Sequence, residues 1–304
     1  MKKEKPQGKT KRQHFVPRFY LRHFTNTKGK LQAYRIDTDS YFVAAPEGVC
    51  AENYLYEVKR LGFDEVDGNP EFLHNYIESR LSDLESELAP QYNQLISCCE
   101  RHDFESDAFD EGRLAACALA TNLMVRHPRF LEDDRLDASK LTKTFLATNK
   151  LTEDVWRMVL KIAIGGDDPD ALSEVAIMKA LLFSEYPEVP SSRIYGAFTN
   201  KRITIVQAPV GMDFITTSMP FDFGGIDEDA YDFRVAYMPL SSKYAAFFTI
   251  YEHSSRFVEA SMEEAVRCNT AILSHNSFWN TAMTGAKGSL EIAVRRWKEL
   301  IEAQ

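Results

Sequence analysis

Apolar residues recur at helical spacing in several long segments of the chain. Over residues 71–101 they lie on one side of a predicted amphipathic helix, which Pro90 should break or kink. Residues 110–127 predict a second helix, and because positions 115–125 are apolar nearly all round, this helix should be buried. Further helices are predicted at residues 130–148, 153–164, 170–184, 261–282 and 289–302.

Two of the predicted helices carry start signals. Pro17 is expected near the start of a short helix that turns Phe19, Tyr20 and Phe24 inward. Ser261, with Glu264 three residues later, has the spacing of a capping box, in which each residue satisfies a free backbone N–H of the other.

Short β-branched and aromatic runs, divided by Pro, Gly and Asp, predict strands in two regions. Residues 31–36 and 41–44 flank a turn-forming segment and predict an N-terminal hairpin. In the second half, antiparallel strands are predicted at residues 203–208, 213–217, 235–239 and 245–251.

The order of elements predicts an α+β fold. It should be mostly α-helical, with a small N-terminal β-hairpin, an antiparallel sheet in the second half and closing C-terminal helices. Residues 1–12 are expected to be a flexible basic arm, and residues 13–304 a single domain. Within that domain we expect a helical part, a β-rich part and terminal helices at about 70–190, 193–252 and 261–302.

The composition fits a globular protein with a sizeable core. Of 304 residues, 44% are hydrophobic, 12% aromatic and 27% charged, which excludes a disordered or fibrous chain. No apolar run approaches the roughly 18 residues of a membrane-spanning helix, and no signal peptide is recognisable. Five cysteines without metal-ligand spacing fit a reduced environment. We therefore expect a cytoplasmic protein with no membrane contact.

Charge is distributed unevenly along the chain. The net charge is −9, but the first 35 residues hold eleven Lys or Arg against one acid, Glu4, so they carry +10 and the rest carries −19. The basic segment could bind RNA or single-stranded nucleic acid through phosphate contacts. Alternatively, it is a solvated tail that contacts the acidic body of its own chain, of a second copy or of a protein partner.

A spaced motif within the basic segment resembles the opening signature of a known family. The motif is His14-x-Val16-Pro17-x-x-Tyr20-Leu21-x-x-Phe24, and the family is the one catalogued as domain of unknown function 4238. Further family-like segments follow in order along the chain: Ala51-Glu52-Asn53-Tyr54-Leu55-Tyr56, Ile77-Glu78, Leu84-Glu85, Asn122, Arg126-His127-Pro128, Phe214-Ile215-Thr216-Thr217-Ser218-Met219-Pro220, Pro239-Leu240-Ser241 and Asn269.

The resemblance implies a cellular context and a function, although the chain departs from the family pattern at one place. It implies a prokaryotic, stand-alone cytosolic protein, and it favours a nuclease-like or defence-related role, as a toxin or phage-defence effector. Where the family has an Asp-Asn pair, this chain has Ser218-Met219, so a role that needs that carboxylate does not transfer.

The candidate catalytic residues are His14, Glu78 and Arg126. Imidazole exchanges a proton near neutral pH, and arginine binds phosphate in a bidentate geometry, so a histidine with arginines could cleave RNA through its 2′-hydroxyl. Alternatively, His14 with Glu78 and Glu85 could hold Mg²⁺ or Mn²⁺. The candidate substrate-binding residues are Arg18, Tyr20, Arg22, Asn122, Ser218 and Asn269.

Each candidate also has a structural interpretation. His14 could be hydrogen-bonded to backbone, and Arg126 could lie at a helix C-terminus because the helix dipole favours it there. Glu78 and Glu85 could form a solvated face with Arg80. Two hypotheses therefore stand: a nuclease in which His14, Arg126 and Glu78 share one pocket, and a non-catalytic partner-binding or oligomerising protein in which the His-Val-Pro segment is structural.

Overall fold

The computed structural model describes residues 12–56, 76–129, 190–225, 233–251, 256–274 and 280–303, together with six single positions between 147 and 158. Nearly all of the basic arm and of the three helices predicted at 130–148, 153–164 and 170–184 lies outside these residues.

The described residues form six α-helices and eleven strands. The helices are α1 (Arg18–Arg22), α2 (Tyr76–Arg101), α3 (Asp107–Val125), α4 (Pro190–Thr199), α5 (Met262–Ser274) and α6 (Lys287–Glu302). The strands are β1 (Arg12–His14), β2 (Leu31–Arg35), β3 (Ser40–Ala44), β4 (Ala51–Asn53), β5 (Arg202–Gln207), β6 (Thr216–Thr217), β7 (Asp222–Gly224), β8 (Val235–Pro239), β9 (Tyr244–Thr249), β10 (Phe257–Glu259) and β11 (Thr281–Thr284). The fold is thus α+β, and the prediction that it is mostly helical is not confirmed.

Two local signals act as the sequence predicts, and one does not. Pro17 directly precedes α1. The helix break expected at Pro90 is absent, because α2 continues through Pro90 to Arg101. The capping box at the start of α5 is confirmed, because Ser261 N donates to Glu264 Oε2 at 2.8 Å and Glu264 N donates to Ser261 Oγ at 3.3 Å.

The strands form three sheets. Strands β1 and β4 form a two-stranded antiparallel ribbon. The predicted hairpin β2–β3 is confirmed, but it belongs to a four-stranded sheet of order β3-β2-β11-β6. The second-half sheet has the order β10-β5-β9-β8-β7, and β10 pairs with β5 in parallel, so this sheet is mixed rather than purely antiparallel.

Three predicted boundaries are wrong. Residues 213–217 hold only the two-residue strand β6, which joins the other sheet. Residues 193–199, placed in the β-rich part, belong to α4. The helix predicted through residue 282 ends at Ser274, and residues 281–284 form β11 in the centre of the four-stranded sheet, because pairing with β2 and β6 outweighs the local helical pattern.

The two larger sheets separate two apolar cores. One core packs α2 and α3 against one face of the five-stranded sheet, through residues such as Leu95, Leu123 and Phe248. The other lies on the opposite side, with α5 and α6, and includes Ile272, Leu290 and Trp297. Residues that flank the β1–β4 ribbon, such as Phe15, Cys50 and Leu55, belong to the first core.

Candidate functional site

The His14 segment is fixed in place by its apolar neighbours. His14 is the last residue of β1, opposite Ala51 of β4, and Phe15 N donates to Cys50 O at 3.0 Å. The apolar residues of the motif are fully buried: Val16, Tyr20, Leu21 and Phe24. Their burial fixes the position of the short segment that contains His14 and Arg18.

Arg126 lies at the centre of a buried polar cluster beneath this segment. Its side chain is 1% exposed. Its Nε donates to the Tyr56 hydroxyl at 3.1 Å, and its Nη1 donates to Glu85 Oε1 at 2.8 Å and to Asn122 Oδ1 at 3.1 Å. Its Nη2 donates to the main-chain carbonyl of His14. The guanidinium therefore ties α2, α3 and β1 together.

Tyr56 completes the connection between the guanidinium and the His14 segment. Its hydroxyl donates to His14 O at 3.0 Å, and its backbone N donates to Gln13 Oε1 at 2.7 Å. The main-chain carbonyl of His14 thus accepts from two side chains, which fixes the backbone at the histidine.

The electrostatics of the cluster favour a charged guanidinium. Burial alone would lower the pKa of Arg126, but the neighbouring Tyr56 hydroxyl and Glu85 carboxylate outweigh it and raise that pKa. Burial raises the pKa of Tyr56 to about 12, although Arg126 opposes the shift. Arg126 is thus charged, and Tyr56 neutral, at physiological pH.

The imidazole of His14 differs from these groups in its hydrogen bonding. Its Nε2 is buried, and no described residue forms a hydrogen bond with it. Burial and the positive charge of Arg18 lower the pKa of His14. A hydrogen bond to the backbone of Glu47 raises this pKa but does not outweigh them. At neutral pH the ring is therefore predominantly uncharged.

The remaining charged candidates lie around the cluster. Glu78 is close enough to Tyr56 to raise the pKa of its hydroxyl. Arg18 and Arg22 are exposed on α1, and Arg22 lies 3.6 Å from the Glu47 carboxylate. Across the described ranges, no three His, Cys, Asp or Glu side chains form a group that could hold a metal ion.

The comparison with protein families finds one match. The model of the family described as "Protein of unknown function (DUF4238)" matches residues 12–281. The chain belongs to this family. No curated protein matches the chain, and no solved structure matches it. Among the helices described here, none is long and apolar enough to cross a membrane.

Three further candidate residues form hydrogen bonds that join elements of the fold. The Tyr20 hydroxyl donates to Pro239 O at 2.8 Å. Ser218 Oγ accepts from Asn280 N at 2.9 Å. Asn269 Oδ1 accepts from Ile215 N at 3.0 Å, and its Nδ2 donates to Asp213 O at 2.9 Å. All three side chains are fully buried, so they join elements of the fold.

The structure brings His14, Glu78, Asn122 and Arg126 to one region, and it adds Tyr56, which the sequence does not single out. The segment of Tyr56 is recognisable only as part of the family-like pattern, and its bond to Arg126 spans 70 positions. Gln13, next to His14, is not predictable for the same reason: its contact is with the backbone of Tyr56.

Proposed function

We propose that this DUF4238 protein is a nuclease, with RNA as its favoured substrate and His14 as its general base. The observation that carries the proposal is the Nε2 atom of His14: it is buried without a hydrogen-bond partner among the described residues. A buried polar atom left unpaired costs about 1–3 kcal/mol, and in this proposal the substrate hydroxyl supplies the partner that Nε2 lacks.

The chemistry follows from the state of the imidazole. The neutral ring accepts the proton of an RNA 2′-hydroxyl, and the 2′ oxygen forms a bond to the adjacent phosphorus. The bond from phosphorus to the 5′ oxygen breaks, and the proton returns from the imidazolium to that oxygen. The exposed Arg18 and Arg22 are the first and last residues of α1, four and eight positions after His14, where they balance the phosphate charge.

Arg126 has a different role in this proposal from the phosphate clamp expected from the sequence. Its guanidinium already donates to Glu85, Asn122, Tyr56 and the His14 carbonyl. It is therefore a positioning residue, which holds the backbone of the general base. A toxin or phage-defence role would be a consequence of the same cleavage.

The second candidate function is the non-catalytic one. It is favoured by the buried Tyr20, Ser218 and Asn269, whose polar atoms are engaged in the fold. On this interpretation His14 is a structural residue, and the protein acts by binding a partner or a second copy.

A cleavage assay on the full chain separates the two functions. Labelled RNA, single-stranded DNA and duplex DNA are incubated at low salt with Mg²⁺, Mn²⁺ or a chelator, using the wild type, His14→Asn and a control, His23→Asn. The control removes a histidine of the same segment whose ring is already bonded to Asn93 at 2.9 Å. We expect RNA cleavage that falls at least a hundredfold in His14→Asn and less than threefold in the control.

The pH dependence gives a second readout. Because burial and Arg18 lower the pKa of His14 below 6.5, the base form predominates at pH 7. Cleavage should therefore be constant near neutrality and fall only on acidification below the ordinary histidine pKa of about 6.5. No cleavage of any substrate, combined with a lower melting temperature for His14→Asn, would establish the non-catalytic function instead.

A further inference from the structure

A cavity of about 560 Å³ lies between the five-stranded sheet and α5, on the side away from α2 and α3. This volume is within the range of sites that bind small molecules. The helix contributes Glu264, Arg267, Cys268 and Ala271, which are spaced along one helix face. None of the residues that line the cavity belongs to the buried polar cluster around Arg126.

One row of side chains crosses four strands to form the floor of the cavity. Asp222 on β7 pairs with Tyr237 on β8, Tyr237 pairs with Phe247 on β9, and Phe247 pairs with Thr204 on β5. Residues directly opposite each other on paired strands lie on the same face of a sheet, so all four line the cavity together. The rings of Tyr237 and Phe247 are in contact, with centroids 5.1 Å apart.

The Tyr237 hydroxyl is the polar feature of this floor. Tyr237 is 2% exposed, and no described residue forms a hydrogen bond with its hydroxyl. By contrast, two fully buried tyrosine hydroxyls of the first core are satisfied: Tyr20 donates to Pro239 O at 2.8 Å, and Tyr92 donates to Leu240 O at 2.7 Å. A buried tyrosine usually finds such a partner, so the Tyr237 donor is placed to bind something inside the cavity.

The surrounding charges restrict what that partner can be. Asp222 lies close enough to act electrostatically on the Tyr237 hydroxyl, so an anionic group would be repelled at this end. Glu264 is held in its capping box with Ser261, and Arg267 is exposed.

The rest of the lining is largely apolar, through Val206, Val235, Val258 and Ala260. We propose that this cavity binds a small, uncharged, largely apolar molecule whose carbonyl or ether oxygen accepts a hydrogen bond from Tyr237.

The binding test uses three probes of similar size on the full chain. Acetophenone is neutral and has an acceptor, ethylbenzene has no acceptor, and benzoate is an anion. Saturation-transfer NMR titrations should give saturable binding of acetophenone, and weaker binding of ethylbenzene and benzoate. Tyr237→Phe should raise the acetophenone dissociation constant roughly fivefold to tenfold and leave that of ethylbenzene unchanged.

A stability measurement without any probe tests the unpaired hydroxyl itself. Tyr237→Phe removes an unsatisfied polar group, so its melting temperature should be equal to or above that of the wild type. The control Tyr92→Phe removes a donor from Leu240 O and should melt at a lower temperature. The proposal is overturned if acetophenone shows no saturable binding, if Tyr237→Phe binds it as well as the wild type does, or if Tyr237→Phe is destabilised like the control.

Discussion

At the residue scale, Arg126 is the centre of a buried hydrogen-bond network beside the first core. Its guanidinium is 1% exposed and satisfies three side-chain acceptors and one carbonyl. A buried charge of this kind is costly to leave unpaired. If the charge is removed, the buried acceptors that it served are costly to leave without a donor. The cluster therefore depends on each of its members, and the arginine has the most partners.

We expect Arg126→Leu to lower the free energy of unfolding by about 3–5 kcal/mol, because the variant leaves the Glu85 carboxylate without its arginine and removes one of the two donors to His14 O. The measurement is urea unfolding followed by circular dichroism. The matched control, Arg18→Leu, changes an exposed arginine and should stay within about 0.5 kcal/mol of the wild type. Equal stability of both variants would mean that the buried cluster contributes nothing to the fold.

At the element scale, the contact between α2 and α3 depends on one glycine. A Cβ added at Gly112 of α3 would lie 2.7 Å from Leu95 Cβ and 3.0 Å from Gln91 O, both on α2. The two helices approach this closely because position 112 has no side chain. The approach matters for the candidate site, since Glu85 and Arg126 come from these two helices.

Gly112→Ala should therefore destabilise the protein by about 1–3 kcal/mol, since the helices must move apart to admit the methyl group. Gly196→Ala is the control: a Cβ there meets nothing within 4 Å, so the helix propensity of alanine should stabilise α4 by about 0.5–1 kcal/mol. Thermal unfolding of the two variants should shift in opposite directions. A shift in the same direction for both would contradict the close approach.

The elements that were predictable are those with local signals. The hairpin β2–β3, the capping box at Ser261 and the amphipathic α6 each follow from residues a few positions apart. The local pattern predicts a helix that runs into β11, whereas the strand is stabilised by pairing with β2, about 250 positions away, which no local pattern reveals. The same limit applies to the candidate site: His14 could be singled out by its chemistry, but the partners of its carbonyl, Tyr56 and Arg126, are 42 and 112 positions away.

At the scale of the whole molecule, β11 links the two cores. Adjacent side chains of a strand point to opposite faces, and Ala282 belongs to the core with α5 and α6 while Met283 belongs to the core with α2 and α3. Strand β2 is shared in the same way, through Ala33 and Tyr34. The N-terminal and C-terminal parts of the chain therefore form one sheet between the cores.

If the shared sheet makes the two cores one cooperative unit, damage to either core must lower the stability of both. Met283→Ala removes a fully buried side chain from the first core alone and should cost about 2–5 kcal/mol. We expect calorimetry to show one transition at a lower temperature, with equal calorimetric and van't Hoff enthalpies. The control Val210→Ala, at a fully exposed position, should melt like the wild type. Two transitions, with only one displaced by Met283→Ala, would show instead that the cores unfold independently despite the sheet that they share.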